Sequence, residues 1–324
     1  MNIGIHEESF QEVADYYEGA LGPLCLLYFS SLTNYCKKND INEIVFLSRE
    51  GAFLSRAYSA FLDTIDEKIS VKNIFVSRAF LVSILTQIDV AKLFVCSNFS
   101  GSVREFFETR LSSQSSKLDQ IFYNKTFLDS NISLPEQLDK LTIVLKKYFD
   151  FMRPAIDLKK QLYISYLKSS SRLDKHSLVA DVGYSGSIQK LLSKTIDRPL
   201  NGYYMVTTKN HDKITIGEDN LVMGLFDKLA CFGEGNPVLD NSLLLEVLMS
   251  ACHGPVTDIY LDHTGHGYKF IFGKTTYSQF GFPILKYGQD KLINFITRYA
   301  NIFNKNIMDT DFVDANVCFI YNIM

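Results

Sequence analysis

The sequence predicts an α/β fold: a mostly parallel, doubly wound, Rossmann-like sheet with a helical insertion and a C-terminal α+β extension. Three observations predict it. Apolar runs at 43–47, 73–76, 178–181, 201–206 and 221–226 read as buried strands, and patterns of helical period lie between several of them. Such alternation is the mark of a parallel sheet covered by helices. The central run 178–189, Leu-Val-Ala-Asp-Val-Gly-Tyr-Ser-Gly-Ser-Ile-Gln, passes from apolar strand through an acid and a glycine turn into a helical pattern. Finally, 324 residues with 47% hydrophobic content suffice for one large or two ordinary domains with a sizeable core.

Taken in order, Phe10, Val13, Ala14 and Tyr17 are spaced for a short amphipathic helix, which Gly19 and Gly22-Pro23 should interrupt. Leu24, Cys25, Tyr28, Phe29 and Leu32 mark a second helix running to about Lys38. The first strand, 43–47, ends at Ser48-Arg49-Glu50-Gly51, and Phe53, Leu54, Ala57, Tyr58 and Phe61 resume at helical spacing. The next strand, 73–76, also ends in Ser-Arg, at Ser77-Arg78. In a parallel sheet both arginines emerge at one edge, beside Asp181. A guanidinium carries a fixed fork of donors that matches phosphate oxygens. Each arginine could equally pair with a structural carboxylate.

Residues 98–133 are rich in Ser, Gln and Asn and predict an inserted lid with short helical pieces. Ser133-Leu134-Pro135-Glu136 has the pattern of a helix start. Leu134, Leu138, Leu141, Leu145, Phe149 and Met152 form an apolar stripe, with Pro154 expected to break that helix and another to begin near Ile156. The domain reading is therefore 1–97 and 174–324 as the α/β core, with 98–173 as a mainly helical insertion or lid.

Glu246 is the lone acid on an apolar helix expected over 241–251, which runs into His253-Gly254. An unpaired buried acid is costly, so Glu246 is either a partnered core group or a site residue. Residues 257–261 and 268–272 flank a polar turn and read as a β-hairpin. Its His263 and His266 have no nearby cysteine or carboxylate cluster, so a metal site is not expected there. Leu292, Phe295, Ile296 and Tyr299 predict a last amphipathic helix.

Composition excludes several classes. The net charge of -3 advertises no nucleic-acid binding. The six cysteines form no CxxC pair and sit mostly in apolar surroundings, so reduced core thiols are expected. The polar, acidic start is unlike a signal peptide, and the apolar stretch 20–29 contains Gly22 and Pro23 and is too short to span a bilayer. A reduced, cytoplasmic, soluble protein is expected; a peripheral contact at the inner membrane face is compatible with this. The chain has no Gly-x-x-x-x-Gly-Lys-Ser/Thr loop and no Gly-x-Gly-x-x-Gly after a strand. Gly183-Tyr184-Ser185-Gly186 also fails the Gly-x-Ser-x-Gly spacing of a nucleophile elbow. What remains is a short turn whose glycines let backbone approach a ligand, before a helix whose first N–H groups suit a phosphate.

Five stretches together resemble a family. They are 17–23 (Tyr-Glu-Gly-Ala-Leu-Gly-Pro), 45–51 (Val-Phe-Leu-Ser-Arg-Glu-Gly), 76–79 (Val-Ser-Arg-Ala), 180–189, and Leu245-Glu246 with His253-Gly254. In order and spacing they resemble the non-phosphatase half of bacterial two-domain proteins that carry a haloacid-dehalogenase (HAD)-type phosphatase. Those proteins occur in surface-polysaccharide gene clusters for O-antigen or capsule. The resemblance spans about the first four-fifths of the chain. It implies a ribofuranosyltransferase that moves a 5-phosphoribosyl group from phosphoribosyl diphosphate (PRPP) to a glycan hydroxyl and releases pyrophosphate. The acceptor glycan would be free or lipid-linked, and a separate HAD-type phosphatase would remove the 5-phosphate. The chain lacks the paired acids and Thr-Gly-Gly-Thr loop of ordinary nucleotide-synthesis phosphoribosyltransferases.

On this reading Asp181, Glu50 and Glu246 carry the chemistry. Ser48, Arg49, Gly51, Ser77, Arg78, Gly183, Tyr184, Ser185, Gly186 and Ser187 hold the donor and its phosphates. Glu18 and His253 lie toward the acceptor. Mg2+ would arrive with the diphosphate rather than in a protein ligand cluster. The competing expectations are a non-catalytic scaffold that recruits a phosphatase or glycosyltransferase to polysaccharide assembly, and a hydrolase of phosphorylated sugars.

Overall fold

A computed structural model describes residues 7–306 apart from 97, 114, 124, 209–220, 227–232, 234–235, 266 and 276. Its strands are β1 (Glu43–Leu47), β2 (Ser70–Ile74), β3 (Phe99–Ser102), β4 (Asn131–Leu134), β5 (Ser177–Tyr184), β6 (Asn201–Thr207), β7 (Val222–Phe226), β8 (Val256–Leu261) and β9 (Tyr268–Phe272). Five of them form one parallel sheet in the order β2-β1-β5-β6-β7. The other four make two antiparallel pairs, β3 with β4 and β8 with β9.

The interior strand β1 is buried throughout, as befits a strand covered on both faces. Ile44 and Phe46 face one cluster, with residues of the helices Gly22–Lys38, Gly51–Thr64 and Phe282–Asn306. Val45 and Leu47 face the other, with the helices Arg78–Leu85, Leu138–Ser170 and Ser187–Ile196. The period-two alternation of a strand thus feeds two separate cores.

Four local expectations are corrected. The second strand runs over Ser70–Ile74 and does not reach Val76. Phe75 has already left the ladder: its N–H donates to the Tyr166 hydroxyl at 2.8 Å, and its carbonyl accepts from the Tyr163 hydroxyl at 3.1 Å. Residues 133–136 do not start a helix. Ser133 and Leu134 pair in β4, Ser133 donates to Glu136, and the helix begins at Leu138. Pro154 does not break that helix, which runs unbroken for 33 residues. Proline removes a single rung, to the carbonyl of Asp150, and buried Leu145, Phe149, Ile156 and Tyr163 hold both halves in place. Gly19 and Gly22 interrupt nothing: a π-helical segment, Tyr17–Leu21, joins Glu7–Tyr16 to Gly22–Lys38.

Residues 98–173 divide in two. The first part sets three short helices (Val103–Arg110, Ser115–Ile121, Lys125–Leu128) beside the β3–β4 pair. The second is the long helix, whose Tyr163 and Leu167 belong to a core of the main sheet. Cys25, Cys36 and Cys96 are buried, and burial pushes the first two thiols up to about 12 and the third to about 11. Cys252, by contrast, is exposed; Cys231 and Cys318 lie outside the described residues. No helix among the described residues is long and apolar enough to cross a membrane.

Candidate functional site

Strand β1 pairs with β2 on one side and β5 on the other, so the chain segments leaving β1 and β5 part company at their carboxyl ends. A parallel sheet with this order opens its ligand crevice there. A pocket of about 390 Å3 occupies this place. It is lined by Ser48, Arg49 and Glu50 after β1, by Ser77 and Arg78 after β2, and by Asp181 and residues 183–187 at the end of β5. Glu246 closes one side. Its volume lies in the usual range of small-ligand sites, roughly 300–1,000 Å3.

The local sequence explains why the β5 end can open. Gly183 lies against β6, where a Cβ would come within 2.6 Å of the Val206 carbonyl oxygen. Gly186 has φ +64, a left-handed conformation that costs other residues energy. It is the cap of the Ser187–Ile196 helix and has no side chain to occupy that helix's first N–H groups. The positive end of the helix dipole therefore looks into the pocket beside Ser187 and Ile188. The Ser185 and Ser187 hydroxyls are hydrogen-bonded to each other at 2.6 Å. The Ser48–Arg49 and Gly183–Tyr184 peptide bonds are both cis.

The other serines divide in role. Ser77 caps the Arg78–Leu85 helix, accepting from the Phe80 N–H at 3.1 Å and donating to the Val256 carbonyl at 2.6 Å. Its hydroxyl is committed to structure. The Ser48 hydroxyl is buried with no hydrogen-bond partner among the described residues. Gly51 does not line the pocket. It lets the Gly51–Thr64 helix start against β1, its Cβ position lying 3.0 Å from the Phe46 backbone.

Three carboxyls and three guanidiniums share the pocket. Burial raises the Asp181 carboxyl well above the usual carboxylate range, and the neighbouring charges of Glu50 and Glu246 push the same way. One of its oxygens accepts from the Val182 N–H at 2.8 Å. Glu50 is raised by burial, opposed by Arg49, whose Nη2 lies 3.6 Å from its Oε1. That oxygen is buried and lacks a hydrogen-bond partner among the described residues. Glu246 is raised by burial and by Glu50, and is held back by Arg49, the Tyr184 hydroxyl and Arg78. The Tyr184 hydroxyl lies 3.2 Å from the Ser242 carbonyl, to which its one proton can alternatively be donated, tying the β5 turn to the Ser242–Leu248 helix that carries Glu246. Like charges this close cannot all ionise freely, so the acids hold protons at pH values where free carboxyls do not.

Arg78 makes no hydrogen bond or ion pair to any described residue. Desolvation and the like charge of Arg110 both lower its pKa. Arg110 was not singled out in the sequence, nor were the other lining residues Thr109, Tyr204 and Pro255. Arg110 ends the first helix of the insertion, Val103–Arg110, and reaches the pocket from outside the sheet. No periodicity or motif marks it. Its only sequence signal is its place in a stretch whose composition changes.

Besides Gly51, two expected residues stand away from the lining. Glu18 is half-buried in the π-helical segment. His253 stacks on Phe272 with ring centroids 4.2 Å apart, its Nδ1 2.9 Å from the Gly254 carbonyl. Burial lowers its pKa, the hydrogen bond to Gly254 opposes this, and Arg49 adds to the lowering. No protein-family model matches this chain, and the curated proteins yield no match in sequence.

Proposed function

We propose that this pocket binds a phosphorylated pentose donor, PRPP, and transfers its 5-phosphoribosyl group to a glycan hydroxyl with release of pyrophosphate. The finer fold reading, a doubly wound Rossmann-like sheet of the polysaccharide ribofuranosyltransferase type, belongs to the same proposal. One observation carries it: Arg49, Arg78 and Arg110 share a single pocket with the bare Ser187 helix start and with Glu50, Asp181 and Glu246. A site for a simple anion needs no carboxyls, which repel it. A site for a sugar diphosphate needs both: cations for the phosphates, and acids for the ring and for the incoming hydroxyl.

In the transfer, the bond from C1 to the diphosphate oxygen breaks and its electron pair leaves with pyrophosphate. Positive charge builds on the ring, the acceptor oxygen bonds to C1, and its proton passes to a carboxylate. The guanidiniums and the helix terminus stabilise the departing charge. Asp181 or Glu50, each with a raised pKa, is suited to take the proton near neutral pH. Glu246 meets a hydroxyl of the substrate.

Among the described residues no group of three or more His, Cys, Asp or Glu could hold a metal. Mg2+ commonly binds through one or two carboxylates and the substrate's phosphates, and the Oε1 of Glu50, which accepts no hydrogen bond among the described residues, fits that use. When bound it would offset the diphosphate charge. Surface-polysaccharide synthesis and a separate phosphatase follow from the family resemblance, a cytoplasmic site of action from the cysteine pattern and the polar start of the sequence, and all three stand with this proposal.

The test is titration calorimetry with PRPP, followed by pyrophosphate release with O-antigen or capsule fragments as acceptors. Saturable PRPP binding that Arg78→Ala weakens supports the donor assignment. A chain that binds no PRPP yet retains a phosphatase or glycosyltransferase on purification is the scaffold instead.

A further inference from the structure

The long helix Leu138–Ser170 is about 50 Å long at 1.5 Å per residue, whereas the five-residue strands beside it span about 17 Å. It must overhang the sheet. Its carboxyl end is fixed at the amino edge of the sheet, where the N–H of Arg172 donates to Glu43 at the start of β1. Its amino half therefore projects past the edge that carries the pocket. The inner face of that half packs on the insertion: Tyr148 meets Phe107 with centroids 4.8 Å apart.

The outer face is unusual. Ile143, Phe151 and Leu158 fall at i, i+8 and i+15, one stripe of a helix, and they are 73%, 58% and 69% exposed. The stripe widens at both ends, with Tyr123 at 92% exposure beside Ile143, and Tyr260 and Leu261 beside Leu158. Exposed Lys146, Lys147 and Arg153 flank it, together with two exposed acids, Asp157 and Asp150, the latter paired with Arg153 at 3.2 Å. The helix holds seven basic and three acidic residues, on a chain whose net charge is -3. Protein interfaces are depleted of lysine, whereas membrane-surface helices combine an apolar stripe with lysines whose stems lie along it.

We propose that this stripe and its flanking lysines are a docking surface for an anionic lipid bilayer. The helix lies in the headgroup plane and holds the pocket edge of the sheet near the membrane. The surface includes no pocket residue, so the proposal stands or falls apart from the donor assignment.

The chain contains no tryptophan, so a single introduced one reports only its own position. The variant Phe151→Trp is mixed with vesicles of phosphatidylcholine alone or with a quarter phosphatidylglycerol. Its emission is expected to shift to the blue, and to be quenched by brominated lipid, on the anionic vesicles only. Ile302→Trp, on the Phe282–Asn306 helix, is expected to stay unshifted. In flotation assays the full chain is expected to rise with anionic vesicles. Ile143→Ser, Phe151→Ser and Leu158→Ser together, or Lys146→Glu with Lys147→Glu, should cut that binding at least tenfold without altering PRPP affinity or the circular dichroism melt. No flotation with any vesicle, binding unaffected by both variants, or a dimer that the serine variant dissociates would each overturn the proposal; the last would assign the face to a second copy of the chain.

Discussion

The three pocket acids link stability to function residue by residue. A carboxyl whose pKa is higher in the folded chain than in the unfolded one favours folding most at acid pH, below the unfolded value. That contribution is lost as pH rises through the folded value. Asp181, Glu50 and Glu246 are all raised, chiefly by burial. At about pH 8 they oppose folding, and near pH 4 they do not. Asp181→Asn and Glu50→Gln are therefore expected to raise the melting temperature at the higher pH, with the gain shrinking as the pH is lowered. The same variants are expected to lower turnover by about a hundredfold or more if the residue is the base. Thermal melts across pH and a pyrophosphate-release assay check the two halves. A loss of stability at pH 8 would show these acids to be structural partners. For the cations, Arg78→Ala and Arg110→Ala should each weaken donor binding by about tenfold to a hundredfold, the worth of a hydrogen bond to a charged group. Lysine should not restore it, because a point charge lacks the planar fork. An unchanged affinity in Arg110→Ala would remove the insertion from the site.

At the scale of elements, what was legible in the sequence was what local chemistry controls. β1 is found at the expected residues because five consecutive buried side chains leave no other reading. The turn at 183–187 was visible because only glycine suits positions like Gly183 and Gly186. Gly186→Ala is expected to cost about 1–2 kcal/mol for the left-handed backbone. Gly183→Ala should cost about 1–3 kcal/mol by overpacking against the Val206 carbonyl. Urea unfolding with an unchanged slope would measure both; a neutral Gly183→Ala would mean that β5 and β6 can part without penalty. The errors were tertiary in origin. The end of β2 was misplaced because two tyrosines from a helix almost ninety residues away take the backbone of Phe75. Consequently the two Ser-Arg pairs are not equivalent: Ser48 follows β1 directly, while Ser77 stands three residues beyond β2 as a helix cap. Pro154 stays inside the helix because packing on both sides outweighs one missing hydrogen bond, and the sequence around it does not show that packing. Arg110 was invisible for a related reason, since only the fold brings the end of an insertion helix to a sheet edge.

For the whole molecule, the decisive feature is that the three guanidiniums come from three separate segments: the β1 turn, the start of the Arg78–Leu85 helix and the insertion. A ligand that meets all three binds parts of the chain that are far apart in sequence, and it binds only when they are assembled. It must therefore stabilise the folded state as a unit, by about 2.7 kcal/mol at a hundred times its dissociation constant. For a chain of 324 residues this corresponds to a rise in melting temperature of about 4 °C. PRPP spans a diphosphate, a ring and a 5-phosphate, so at equal concentration it should exceed both pyrophosphate and ribose 5-phosphate. The excess should vanish in Arg110→Ala if the insertion grips one end of the donor. Hydrogen exchange should also slow at residues 103–110 and 187–190 when PRPP is added, although the two segments belong to different layers. If pyrophosphate alone gave the full shift and the full protection, the pocket would recognise a bare anion. Its three carboxyls would then have no partner in the ligand, and the transferase assignment would lose its chemical basis.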